Sequence, residues 1–241
     1  MKKKFLKEFL GDPRVVDINP LLWKIILYCF VLPFRPKKSA ALYKRIWEGS
    51  EFPLTRITRE FTHKVNALTP KHIEVEHAFL LCSPRVADVY EGWEKDLDSR
   101  RDPAQKLIVI PMFPQYSEST IASGIDFFGK LLETKVRIPN FEVITNFHKL
   151  QAFIDNSVRV VEEKLASESI DDLVISFHGI PKRRVIYKKD PYYQHCFETF
   201  ELLKEKITGI SKDRIRISAQ LTRTDNGYLL WSERFDRKLN D

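Results

Sequence analysis

The sequence predicts an α/β fold of doubly wound parallel sheets, and three observations carry the prediction. Four short β-type runs, IEVEHAFLL (73–81), LIVIPMF (107–113), FEVIT (141–145) and LVISF (173–177), alternate with segments of helical spacing. This is the βαβ rhythm of a parallel sheet. Several of the runs are apolar at consecutive positions, as expected where helices cover both faces of a sheet. Composition agrees: 43% of the 241 residues are apolar and 30% charged, with only 8 glycines, the profile of a packed globule and not of a disordered or fibrous chain. Length alone allows one large domain or two small ones.

The amino terminus opens Met1-Lys2-Lys3-Lys4, but Lys7, Glu8 and Asp12 interrupt any apolar stretch and no small-residue cleavage site follows, so it does not read as a secretory leader. PLLWKIILYCFVLPF (20–34) carries a single charge, Lys24, and is shorter than the roughly 20 residues of a membrane span. It reads either as a buried helix or as an interfacial segment that sets Trp23, Ile26, Leu27 and Phe30 against lipid or another subunit. Pro33 and Pro36 predict an extended or turning chain, after which Ser39 predicts the N-cap of a helix over SAALYKRIW. The strand runs follow. In sheets of this class ligands bind beyond the carboxyl ends of the strands, which directs attention to Phe113-Pro114-Gln115-Tyr116-Ser117 and to Phe177-His178-Gly179-Ile180-Pro181. There is no internal repeat and no low-complexity tract.

The net charge of +7 is unevenly placed: residues 1–50 hold 11 Lys and Arg against 4 Asp and Glu, and the remainder is balanced. A basic segment suits an anionic surface, whether membrane or carboxylate-bearing ligand, or is simply a solvated face. No aromatic-interleaved basic motif supports nucleic acid as a partner. Cys29, Cys82 and Cys196 are odd in number and widely spaced, which excludes a readable disulfide framework or zinc motif, argues against an iron-sulfur cluster and makes the reducing cytoplasm the expected location.

His178 directly follows the LVISF run and precedes a glycine and a proline, so its ring is expected at a strand end on a turning backbone. Imidazole binds divalent first-row metals and accepts protons near neutral pH; the ordinary alternative is a structural hydrogen bond. SFHGIPKR (176–183) followed by KDPYYQHC (189–196) resembles the signature of bacterial ferrochelatases. EFLGDPRVVD (8–17), LPFRPKKSAALYKRIW (32–47) and FPQYSESTIAS (113–123) resemble further segments of that family in the same order. The likeness covers about residues 5–213.

The resemblance implies a chelatase-like pair of α/β domains with a porphyrin cleft, and insertion of ferrous iron into protoporphyrin IX or a related porphyrin in haem synthesis. The partners it implies are porphyrin and Fe2+, with no cofactor beyond that substrate iron, and peripheral membrane contact through 20–34 is compatible with it. The family's histidine, which receives the metal or takes a pyrrole proton, falls on His178. Porphyrin-binding candidates are Tyr116, Ser117, Arg35, Arg45, Asp190 and Tyr192. Of these, Arg35 and Arg45, with Lys37 and Lys38, suit the porphyrin carboxylates or a solvated face. Asp190 and Tyr192 order the cleft wall or form an ordinary Asp-Pro turn, and Tyr116 suits a flat macrocycle or a core. His195 is a second metal contact or a surface histidine.

The same resemblance divides the chain at 1–150, an amino-terminal α/β domain whose first strand is missing, 151–213, the start of a second and incomplete domain, and 214–241. The last segment resembles a TolB-like stretch and reads as a strand, a turn at Asp225-Asn226-Gly227 and a second strand. Leu80-Leu81-Cys82 stands where bacterial relatives carry Arg-Tyr before Ser-Pro. The family's second-half glutamate, opposite the histidine, has no counterpart here, so a porphyrin- or haem-binding fragment impaired in catalysis is the alternative to an active enzyme.

Overall fold

The computed structural model describes residues 3–47, 49, 51–100 and 106–222. It is a mixed α/β structure with short sheets that divides into two compact units: Met1–Leu107 with Ala122–Glu142, and Ile108–Ile121 with Val143–Asp241. Residues 108–121 thus group with the second unit.

In the first unit, α1 (Lys3–Gly11) buries Leu6 against Leu27 and Leu32. Asn19 caps α2 (Pro20–Ile26), its side-chain oxygen accepting from the N–H groups of Leu21 and Leu22 at 3.0 and 3.2 Å. Pro20 takes the first helical position, where a missing N–H costs nothing. The helix runs on through a π turn (Leu27–Val31) into α3 (Leu32–Lys44). Pro33 and Pro36 thus lie inside a helix, as does Ser39, and no break or new N-cap occurs there. Pro33 sits in the first turn of α3, where proline is tolerated, and the wider π turn hands the Leu32 N–H to the Leu27 carbonyl. Packing of buried Leu27 and Leu32 outweighs the local preference for a turn.

Trp23 is half-buried, donating its Nε1–H to the Leu10 carbonyl at 2.7 Å, while Leu21, Leu22, Ile25, Phe30 and Phe34 are exposed. The inward side of 20–34 is therefore the Trp23, Ile26 and Leu27 side. Among the described residues no helix is long and apolar enough to cross a membrane.

The run 73–81 is not a strand. It follows α4 (Pro53–Leu68), whose Asn66 takes both main-chain groups of Val75: the side-chain amide donates to the Val75 carbonyl at 2.6 Å and accepts its N–H at 2.9 Å. At Val75 the groups a ladder would use are spent, and an isolated bridge joins Phe79 to Arg85. Then come α5 (Val86–Arg100), β1 (Lys106–Val109), a π turn (Glu118–Ala122), α6 (Ser123–Leu132) and β2 (Asn140–Val143), with β1 and β2 forming a two-stranded sheet. Asp12 of the DPR segment accepts from the Ser123 hydroxyl and from the Arg14 N–H, and Arg14 pairs with Asp126 of α6 at 3.0 Å. Glu8 pairs with Arg85 at 2.7 Å.

In the second unit, β3 (Leu173–Pro181) and β4 (Ile215–Thr222) pair in parallel. Between them in sequence run α8 (Lys182–Ile186) and α9 (Tyr192–Lys206), while α7 (Gln151–Ser167) precedes β3. Ile154 and Val158 of α7, Phe200 and Leu203 of α9, Ile207 and Ile215 form the core, with Leu173, Ile175 and Phe177 packed on it. Val174, Ser176 and His178 point away and are exposed. Both helices thus cover the same face of β3, so the consecutive apolar positions of LVISF do not mean burial on two sides. The first strand expected in 214–241 is β4, a parallel neighbour of β3; the turn at 225–227 and the strand after it lie outside the described residues.

Ile154 is 1% exposed within this core. Ile154→Ala is expected to cost about 2–5 kcal/mol in chemical denaturation, whereas Val174→Ala on the open face should cost under about 1 kcal/mol.

Candidate active site

Strand β3 does not stop before His178, as the sequence suggested, but continues to Pro181 with a fault in its pairing. Phe177 is opposite Ala219 and Ile180 opposite Leu221, so His178 and Gly179 together face Gln220. Such a bulge bends a strand and re-aims a side chain, and bulges concentrate beside active sites. It leaves the His178 imidazole exposed at the carboxyl end of the strand, where its nitrogens are available to a metal or a proton.

Four consecutive residues, Gln115 to Glu118, are fastened to the segment 184–199. The Gln115 amide donates to Thr199 Oγ1 at 3.1 Å, the Tyr116 N–H to His195 Nδ1 at 3.2 Å, and the Ser117 hydroxyl and Glu118 N–H to Asp190 Oδ2 at 3.1 and 2.8 Å. Asp190 is 7% exposed, and its other oxygen accepts the Tyr192 N–H at 2.9 Å. Glu118 also meets Lys188 at 3.1 Å and the buried Arg184 at 3.7 Å. Of the residues singled out from sequence, Tyr116, Ser117, Asp190 and Tyr192 are therefore brought into one network. Ser117 and Asp190 are buried within it; Arg35 and Arg45 are exposed in the first unit, on α3 and just after it.

Burial, reinforced by Cys196, raises the pKa of the Tyr192 hydroxyl, against the opposing pull of the His178 main-chain N–H. Burial likewise pushes the Cys196 thiol up to about 12, so it stays protonated and is no thiolate ligand at neutral pH. Cys29 and Cys82 are exposed free thiols. Among the described residues no three His, Cys, Asp or Glu side chains converge as a metal cluster.

His195, expected at the surface, is half-buried and stacked on His148, with ring centroids 3.9 Å apart and planes 14° apart. His148 is 2% exposed and its Nε2 lies 2.7 Å from Glu198 Oε2, which Lys149 approaches to 3.1 Å. Because His195 Nδ1 accepts the Tyr116 N–H, the neutral ring carries its proton on Nε2. Sequence reasoning missed His148 and Glu198. They are 50 residues apart and belong to none of the motifs; only the i, i+3 spacing of His195 and Glu198 hinted at a shared helix face.

The family model for ferrochelatase matches residues 2–222. The chain belongs to the ferrochelatase family. It is 35% identical over 226 residues to the coproporphyrin III ferrochelatase of Streptococcus mutans, covering 90% of this chain and 66% of that relative. It is 36% identical to the ferrochelatase of Idiomarina loihiensis, with 88% and 57% covered, and 36% identical to ferrochelatase 2 of Shewanella oneidensis, with 90% and 65% covered. The chain thus spans 57–66% of the length of these ferrochelatases. His178 and the residues fastened around Asp190 all lie within the stretch matched to the family.

The stacked histidines and their carboxylate make this part of the ferrochelatase-family chain acid-sensitive. Burial and then the neighbouring His148 hold the His195 pKa below its ordinary 6.5. His148, Gln194 and Lys149 pull Glu198 from 4.5 down to about 2. Both folded values are depressed, so the unfolded chain protonates first as pH falls, and the stability these groups contribute is complete above their ordinary values and lost on acidification. Thermal unfolding followed by circular dichroism should show Tm falling as pH drops through 6.5 and again between 4.5 and about 2. His195→Phe should flatten the first step and Glu198→Gln the second.

Proposed function

We propose that this chain acts in haem synthesis as a ferrochelatase, inserting ferrous iron into protoporphyrin IX or a related porphyrin, with His178 handling the metal or the pyrrole protons. The observation that carries the reading is the exposed imidazole on a bulge at the carboxyl end of a parallel strand, in a chain of the ferrochelatase family. Metallation bonds the dication to the ring nitrogens and releases the pyrrole N–H protons to base. A neutral imidazole serves either half of that exchange, as a metal ligand or as a proton acceptor. Iron is the substrate here, and the reading requires no resident cofactor.

Tyr116 offers an aromatic edge to the macrocycle, and Arg35 and Arg45 offer charge to its carboxylates. The relative from Streptococcus mutans is named for coproporphyrin III, which makes that porphyrin, richer in carboxylates, the related substrate to test beside protoporphyrin IX. A second reading, peripheral membrane contact of a cytoplasmic protein, is favoured by the exposed Leu21, Leu22, Ile25, Phe30 and Phe34 beside the basic amino-terminal residues.

Anaerobic insertion of ferrous iron or zinc, followed by porphyrin absorbance, tests the first reading. His178→Ala should lower kcat at least about 100-fold, and porphyrin binding without metallation by either protein would assign the binding-only alternative. For the second, co-sedimentation with anionic vesicles should fall in the Phe30→Ser/Phe34→Ser double variant. Sedimentation unaffected by that change, or by neutralising Lys37, Lys38 and Arg45, would remove the membrane reading.

A further inference from the structure

We infer that His195 is a positioning residue for Tyr116: its neutral imidazole fixes the Tyr116 main chain, and a proton on Nδ1 releases it, so porphyrin affinity falls as His195 becomes charged. The effect on affinity rests on the porphyrin role proposed for Tyr116; the contact itself does not. The Tyr116 N–H donates to His195 Nδ1 at 3.2 Å. An imidazole nitrogen accepts only while it carries no proton. Once protonated it is a donor facing a donor, and the N–H of the half-buried Tyr116 loses its partner.

Neighbouring groups hold the ring in place for this contact. Its face stacks on His148, with centroids 3.9 Å apart and planes 14° apart, and His148 Nε2 lies 2.7 Å from Glu198 Oε2. Glu198 is held in turn by Gln194 and Lys149, both at 3.1 Å. The His195 N–H donates to the Pro191 carbonyl at 2.9 Å. Its own carbonyl accepts the Thr199 hydroxyl at 2.8 Å, the same hydroxyl that accepts from the Gln115 amide. The Phe147 N–H donates to the Pro114 carbonyl at 3.0 Å. A closed circuit therefore runs from Pro114 to Tyr116, across His195 to His148, and back through Phe147.

Of the groups that accept from Gln115 to Glu118, Nδ1 is of the type that gains its proton near neutral pH. Burial opposes that proton most, joined by His148 and Lys149 ahead of α7; Glu198 of α9 and Asp190 just before it favour the charge, and the net shift is downward from 6.5. Glu118, two residues beyond Tyr116, is engaged with Arg184 and Lys188. Tyr192 and Cys196, both raised by burial, stay uncharged. The contact is therefore complete above 6.5 and is lost on acidification below it.

His195→Asn and His195→Leu test this in the full chain. Asparagine places an oxygen near the position of Nδ1 and does not titrate, whereas leucine offers no acceptor. The Tyr116 amide resonance is read by tyrosine-selective 15N labelling, with Tyr116→Phe assigning the signal, and coproporphyrin III binding is read by fluorescence. Both are followed from about pH 8 to about pH 5.5, with circular dichroism showing the chain folded. In the wild type the resonance should shift on acidification and the dissociation constant should rise about 3–10-fold, the size of one aromatic contact. His195→Asn should remove that rise and hold the resonance steady. His195→Leu should show the raised constant and a displaced resonance at both ends of the range.

A Tyr116 resonance that titrates alike in wild type and His195→Asn, or that His195→Leu leaves in place, would overturn the inference. So would a dissociation constant that climbs with acid equally in wild type and His195→Asn. If His195→Leu does not fold, wild type against His195→Asn decides alone. A wild-type chain that binds no porphyrin would sink the functional reading, yet the amide titration would still decide whether His195 holds Tyr116.

Discussion

Between Phe177 and Ile180, β3 carries one residue more than the stretch of β4 opposite it, and much of the second unit follows from that mismatch. Up to the fault, Leu173, Ile175 and Phe177 face the core made by α7 and α9, and Val174, Ser176 and His178 face away. In an unbroken strand Ile180 would share the outward side with His178, because side chains alternate strictly. Instead it is 6% exposed. The extra residue exchanges the two sides, so a polar imidazole and a buried isoleucine occupy positions of the same parity two residues apart. A strand without the fault would have to bury the histidine or expose the isoleucine.

The motif segments that mark the family each do identifiable structural work within their own unit. Asp12 and Arg14 hold Ser123 and Asp126 at the start of α6 in the first unit. In the second, the residues from Gln115 to Glu118 are secured one after another to Thr199, His195 and Asp190. Most of these contacts join a side chain to a main-chain N–H or to a buried hydroxyl. Replacement of either partner leaves a polar group without its hydrogen bond, at a cost larger than the bond's net contribution. This is a physical reason for such segments to be recognisable as motifs at all.

What was legible in the sequence was whatever local pattern dictates. Strands β1, β2 and β3 overlap the runs at 107–113, 141–145 and 173–177, although β1 and β2 end sooner, at Val109 and Val143, and β3 runs on to Pro181, and His178 was found because it abuts an apolar run. What escaped depended on partners distant in the chain. The run at 73–81 has strand composition, but the Asn66 amide claims Val75. Pro33 and Pro36 are turn formers by local preference, yet a preceding π turn and the burial of Leu27 and Leu32 carry the helix through them. His195 looked like a surface residue because nothing near it in sequence announces His148 or the Tyr116 N–H. The bulge itself is invisible locally, since it is a relation between two strands and not a property of one.

The grip of Asn66 on Val75 has a consequence beyond the missing strand. IEVEHAFLL is rich in the residue types that favour strand pairing, and an extended segment with unpaired main-chain groups is a template onto which another chain can add. By occupying both main-chain groups of Val75, the amide removes the donor and acceptor an incoming strand would need at the third residue of the run. Asn66 thus leaves one pairing position fewer for edge-to-edge association at a place where composition favours strand pairing.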